Sequence, residues 1–375
     1  MNDPSLPLHS GASLPCSPVP WGQAQWDRVR QVVAAEAARS RLAASFLPLH
    51  GPLSSDSDFV RRDLIGTYPS PSASPSGSGL DQRRLEIDDT STIRLWTLQA
   101  NLYLRGPQLA DPELTSVLAL FRRAANVLAR LEDTVVFNGI PMFGDDSCQA
   151  AQQLELLPPI WEILGRRRDD PSRQMIGLLP DSPQHSPGYD PPLVGDPGVA
   201  SISYRQWQQV PRPVGHVPGS QAYYAALGST LVGEISQVIG RLEANGHYGP
   251  FSLVLGQHLF EALQTPNASS LVLPQDRVIP FLGAGGTLLR STTLPDDQGV
   301  IVALGGDPVD LVIAKDLSVD FLQITPDPTF VFRLHERIVL RIMTPGAIYG
   351  LKLHPHPGPD PVTAKRASRS RATAP

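Results

Sequence analysis

The sequence predicts an α+β protein organised around one long helix, with a long two-faced strand near the end and a polar arm inserted between. The stretch "DPELTSVLALFRRAANVLARLEDTVVFNG" carries Leu114, Val117, Leu118, Phe121, Ala125, Leu128, Leu131 and Val135 at spacings of three and four, a continuous apolar stripe on a helix. The stretch "FRLHERIVLRI" alternates: Phe332, Leu334, Glu336, Ile338, Leu340 and Ile342 share one face, and Arg333, His335, Arg337 and Arg341 share the other. Between residues 56 and 87, "DFVRRDLIG" and "DQRRLEIDD" flank a Ser/Pro-rich centre that can bury nothing, the profile of a two-stranded arm with a loose tip.

Each element follows in order. Residues 1–19 are Pro/Ser-rich and read as a flexible tail. A first helix is expected over Gln23 to Ser45, with Trp26, Val29 and Val33 on one face, broken by "FLPLHGP". After the arm, "TIRLWTLQANLYL" reads as a strand. The long helix has Asp111 as expected N-cap, Pro112 at its first position, and Asn138-Gly139 as its end. Residues 140–221 read as loops with short strands or helices, including a Pro-rich insertion over about 165–221. A second amphipathic helix is expected over about Ala222 to Asn245, with Gly246 at its C-terminus. "PFSLVLG" reads as a buried strand, "QHLFEALQ" as a short helix, and "VIVALGG" and "VDLVIAKDLSVDFL" as strands. The basic stretch 354–375 reads as a disordered tail.

Composition narrows the classes. The chain has 375 residues, enough for two domains, and 39 prolines against 31 glycines, which signals long irregular segments. A net charge of -5 argues against a dedicated nucleic-acid binder. Cys16 and Cys148 cannot form a disulfide framework or a cysteine zinc site and fit a reducing compartment. With neither a signal-peptide pattern nor an apolar run of bilayer length, a cytoplasmic protein without a membrane partner is expected.

No catalytic, cofactor or metal site is expected. "FLGAGGTLL" supplies Gly283, Gly285 and Gly286 without phosphate-loop spacing and reads as a glycine turn between strands. His354 and His356 flank a proline in the tail, and His247 reads as a cap facing a helix end. Asp145 and Asp146 have no visible His or Cys partner, and Arg166, Arg167 and Arg168 run into Asp169 and Asp170 as a self-compensating surface turn. A chain of this size with strong structural elements and no site suggests a structural role.

Three blocks then resemble one family. "LEDTVVFNG", "VDLVIAKDLSVDFL" with "FVFRLHERIVLRIMTPGAIYGLKL", and "QAQWDRVRQVVAAEA" with "FLPLHGP" resemble segments of encapsulin shell proteins, the linocin or bacteriocin-type family with the Hong Kong 97 phage capsid fold. Their order and spacing agree across residues 19–138 and 222–353. The resemblance implies a discontinuous peripheral domain (20–55, 88–138 and 309–353), an extended loop (56–87) and an axial domain (139–308). It implies a self-assembling hollow icosahedral nanocompartment enclosing a cargo enzyme, peroxidase or ferritin-like, held by a terminal targeting peptide. Ala44, Ser45 and Pro48 replace the basic pair and acid usual before the Gly-Pro, and "SVDFL" lacks the family's glycine.

The resemblance also implies candidate positions. Cargo docking falls to Phe46, Leu47, Leu49, Leu317 and Val319. The vertex pore loop corresponds to "QTPNASSLVLP", with Thr265, Asn267, Ser269 and Ser270 uncharged. The basic strand face, Arg333, Arg337 and Arg341, is expected to meet solvent or acids of a neighbouring arm such as Glu86, Asp88 and Asp89. The competing readings are a phage or prophage major capsid protein and, from another class, a soluble hydrolase or bacteriocin.

Overall fold

The computed structural model describes residues 19–54, 56–69, 83–89, 91–141, 148–165, 175–179, 206–267, 270 and 272–354. The first half contains α1 (Gln23–Ser40), α2 (Ala43–Phe46), β1 (Leu49–His50), β2 (Phe59–Arg61), β3 (Leu64–Pro69), β4 (Arg83–Asp88), β5 (Thr92–Arg94), β6 (Trp96–Arg105), α3 (Gly106–Leu109), α4 (Thr115–Asn138), α5 (Gln149–Glu155) and β7 (Trp161–Leu164). The second half contains β8 (Gln206–Val210), α6 (Gln221–Ala244), β9 (Phe251–Leu255), α7 (Gln257–Gln264), α8 (Pro274–Leu282), β10 (Thr287–Arg290), β11 (Gln298–Ala303), β12 (Val309–Ile324), β13 (Thr329–Ile342) and β14 (Ile348–Leu353).

Two five-stranded sheets carry the architecture. The first has the order β1-β12-β13-β6-β7 and is built on the long β12–β13 hairpin; the second has the order β10-β9-β11-β14-β8. Helices α1 and α4 cover the first sheet, and α6, α7 and α8 gather on one face of the second, whose other face (Val254, Val300, Val302 and Ile348) joins the core of the first sheet and α4.

The oily face of β13 lies against the stripe of α4. Phe332 is fully buried, with its ring 5.6 Å from Phe121 of α4, 5.0 Å from Trp21 and 5.9 Å from Trp26. Leu334, Ile338, Leu340 and Ile342 are buried in the same core as Val117, Leu128 and Leu131. Burying such a side chain contributes about 1.5–3 kcal/mol before chain entropy is counted.

The structure revises several boundaries. Helix α4 begins at Thr115, because Leu114 adopts a left-handed conformation (φ 52°) and the Asp111 carboxylate caps the preceding turn, accepting from the N–H groups of Glu113 and Thr115. Its end matches expectation: Gly139 has φ 82°, and a Cβ there would lie 2.3 Å from the Met175 carbonyl oxygen. Helix α1 stops at Ser40, and the chain to Ser45 turns through α2 instead. The three glycines of "FLGAGG" join helix α8 to β10, not strand to strand.

Strand pairing cuts across two of the expected domain limits. Strand β14 hydrogen-bonds to β11 and β8 in the second sheet, so 348–353 leaves the unit formed by 309–342. Strand β7 pairs with β6 in the first sheet, and Met175, Leu178 and Leu179 join its core, so part of 139–179 belongs with α4 rather than with the second sheet. Main-chain pairing decides both, because Leu178 and Leu179 donate to the carbonyls of Val136 and Phe137 at the end of α4. The arm has two antiparallel pairs, β2–β5 and β3–β4; residues 70–82 at its tip lie outside the described residues.

Candidate docking and assembly surfaces

The junction between α1 and α2 is fastened to the long helix by charge. Asp133 of α4 is buried and its carboxylate accepts from the Leu42 N–H at 2.9 Å and the Ala43 N–H at 2.7 Å, which starts α2 at that position. Burial pushes this carboxyl up to about 7, against the two N–H groups that hold it down. One residue earlier, Glu132 lies with its Oε2 2.6 Å from Arg41 Nε. Arg41 also contacts Glu336 of β13, and its NH1 reaches Asp316 of β12 at 2.6 Å. A single guanidinium therefore ties α4, β12 and β13 to the exit of the first helix. The three carboxylates keep Arg41 charged, its pKa raised above the ordinary guanidinium range despite burial.

The docking candidates sit beyond this junction in two groups. Phe46 is buried with its ring 6.3 Å from Phe137, and Leu47 and Val319 are buried in the same core. Leu49 is 56% exposed and Leu317 is half-buried. Leu49 is held by the parallel pairing of β1 with β12, where it faces Leu311. Gly51 lets the chain leave: with φ 134°, a Cβ there would lie 2.2 Å from the Ile313 carbonyl oxygen. Of the five residues, Leu49 and Leu317 present surface, while Phe46, Leu47 and Val319 are buried.

The basic face of β13 finds partners within its own chain. Arg341 is buried and pairs with Asp310 of β12 through Nε at 2.9 Å and through its terminal nitrogen, and this partner raises its pKa. Arg337 pairs with Asp58 at the base of the arm. Arg333 Nε is 3.5 Å from the Asn101 side-chain oxygen, and His335 Nε2 is 3.5 Å from Asp320, which Lys315 also reaches. Arg62 Nε donates to the Ile342 carbonyl at 3.1 Å. These contacts fix the root of the arm to the last long strand. Glu86 and Asp88 fall on β4, and their side chains lie outside the described residues; Asp89 pairs with Arg61.

The pore candidates occupy the loop between α7 and α8. Thr265 hydrogen-bonds the Glu261 carbonyl, Asn267 reaches Ser229 of α6 at 3.3 Å, and Ser270 bonds the Val272 carbonyl; Ser269 lies outside the described residues. Among the described residues no group of three His, Cys, Asp or Glu is placed to hold a metal, and no helix is long and apolar enough to cross a membrane. His356, Asp145, Asp146 and the run 166–170 lie outside the described residues.

Sequence reasoning missed the Arg41 cluster. Its visible signal was Glu336, a carboxylate in the middle of an otherwise apolar strand face.

Comparison with known proteins agrees with this geometry. Residues 218–339, from the start of α6 into β13, match the family described as Linocin_M18, encapsulating protein for peroxidase. The type 1 encapsulin shell protein EncA of Myxococcus xanthus (strain DK1622) is 28% identical over 118 residues, which is 32% of this chain. The match spans 40% of the length of that curated relative. Among solved structures, the virus-like particle from Pyrococcus furiosus aligns with TM-score 0.51 and 14% identity, covering 88% of this chain and 99% of that one. The mature capsid of bacteriophage PhiM1 aligns over 84% of this chain and 88% of that one, with 13% identity and TM-score 0.46. The chain thus has the Hong Kong 97 phage capsid fold, and its residues 218–339 are similar to the encapsulating-protein family.

Proposed function

We propose that this chain is a structural shell subunit that assembles with copies of itself into a hollow icosahedral compartment enclosing a cargo protein. One observation carries the reading: a rigid α4–β13 unit with a projecting two-stranded arm, in a fold that spans 99% of a virus-like particle subunit. In such a subunit the working parts are edges. The first sheet with α1 and α4 would form the peripheral domain, the second sheet with α6 to α8 the axial domain, and residues around 56–89 the extended loop. The partners are other copies of this chain and a cargo protein whose terminal peptide binds at Leu49 and Leu317. Apolar peptide side chains fit the chemistry of the exposed Leu49 and the half-buried Leu317. A shell role, not an enzymatic one, is the reading of the chain itself; any catalysis belongs to the cargo.

A phage or prophage capsid is the second reading, since the fold is common to both. The sequence match over 218–339 to an encapsulating-protein family favours the compartment. Purified full-length protein imaged by negative-stain microscopy tests the proposal: closed, uniform, empty-centred particles support it, and a dispersed monomer refutes it. Nucleic acid protected inside the particles would shift the assignment to a capsid.

A further inference from the structure

The two buried acids that end α4 have different surroundings. Asp133 is occupied by backbone donors, whereas Glu132 and Glu336, with side chains 1% and 0% exposed, share one cation. Arg41 Nε approaches Glu132 without hydrogen-bond geometry, and both oxygens of Glu132 and Oε1 of Glu336 accept no hydrogen bond from the described residues. The charged groups facing the pair are Arg41 from the α1–α2 junction, Asp133 beside Glu132 on α4, and Asp316 from β12 at the exposed rim. Two ionised carboxylates in a dry core, with Asp133 adjacent, exceed what one guanidinium neutralises, and like charges at close range do not both ionise.

We infer that Glu132 and Glu336 hold one proton between them at neutral pH, and that this proton locks the exit of α1 and strand β13 onto the long helix. The electrostatics agree: burial and the neighbouring carboxylate push Glu132 well above its ordinary 4.5, and burial pushes Glu336 up as well. The sign of the linkage follows. The folded chain binds a proton that the unfolded chain has already released above the ordinary carboxylate range. The stability this proton confers is complete below that range and is lost as pH rises through the raised folded value. The device is therefore an alkaline release, not an acid one. Losing the proton leaves excess negative charge under the α1–α2 junction, the segment that leads to Leu49. The inference concerns one protomer and does not depend on the shell reading.

The test compares full-length wild type with Glu132→Gln, whose amide copies the protonated acid in shape and neutrality. Urea unfolding is followed by tryptophan fluorescence between about pH 5.5 and about pH 9. In the variant the unfolding constant should climb with pH less steeply than in wild type, by about tenfold per pH unit within the window. Asp133 titrates at about 7 and its charge acts on the pair, so Asp133→Asn is introduced into both proteins to take it out of the comparison. The wild-type-minus-variant infrared spectrum at neutral pH should contain the carbonyl stretch of a protonated carboxylic acid. Parallel pH profiles, or a difference spectrum without that band, would overturn the inference. If Glu132→Gln does not fold, Glu336→Gln takes its place in both measurements. If neither variant folds, the wild-type infrared spectrum decides: a protonated-carboxyl band that persists as the pH rises past the Asp133 transition at about 7 supports the inference, and a band that is absent or vanishes with that transition overturns it.

Discussion

Phe332 and Arg41 show how much single side chains hold. Phe332 is the meeting point of Trp21, Trp26, Phe121 and Phe321, joining the N-terminal segment, α4, β12 and β13. Phe332→Ala should cost about 3–5 kcal/mol, read as a fall in the urea midpoint, because rings packed from several sides leave a cavity that cannot collapse. Arg41→Met should cost a comparable amount, on the order of 3–5 kcal/mol, since it leaves buried carboxylates without their cation. A loss below about 1 kcal/mol would mean that the carboxylates shed their charge freely, and the ionic tie would not matter. The role of Phe332 was legible, because alternation places it on the apolar face. Arg41 was not: it stands 295 residues from Glu336, and no local pattern links them.

Among elements, legibility tracks how local the determining signal is. The stripe of α4 and the alternation of β13 are written within a few turns or residues and were readable, apart from the start of α4 at Thr115 and the burial of Arg341. Helix α8 was missed because Pro280 lies inside it and interrupts the pattern, although Pro274 opens it in the favourable first position. The sheet assignment of β14 was unreadable because membership depends on β11 and β8, far away in the chain. Among the candidates, Leu317, Val319, Arg333, Arg337 and Arg341 were legible as strand positions, whereas which of them are buried depended on tertiary packing, and the α2 turn holding Phe46 was not foreseen. The arm makes a test at this scale. Among the described residues, Ile65 and Ile87 of the arm are exposed, so replacing 64–88 with a short Gly/Ser linker should preserve the protomer's fold by circular dichroism while abolishing particles. Arg337→Glu breaks the pair with Asp58 that holds the arm's root, and should lower particle yield more than it lowers the melting temperature. Unchanged yield together with unchanged melting would show that the arm's root needs no ionic fastening.

At the scale of the molecule, the second sheet is packed on both faces, by α6 to α8 on one side and by the core of α4 and the first sheet on the other. The uncharged loop after α7 bears on what passes through an assembled shell. Small anions and cations should permeate alike, measured by uptake into particles, and Asn267→Asp should slow anions selectively by adding one ring of negative charge. Strong charge selectivity in the unaltered shell would contradict the assignment of Thr265, Asn267 and Ser270 to the pore. The central claim is that this fold exists to be repeated, and the mass of the purified chain in dilute solution tests it most directly. Sedimentation velocity or mass photometry should give one narrow population many times the 40.5 kDa of a single chain. A stable species of 40.5 kDa under conditions in which the protein is folded would contradict it.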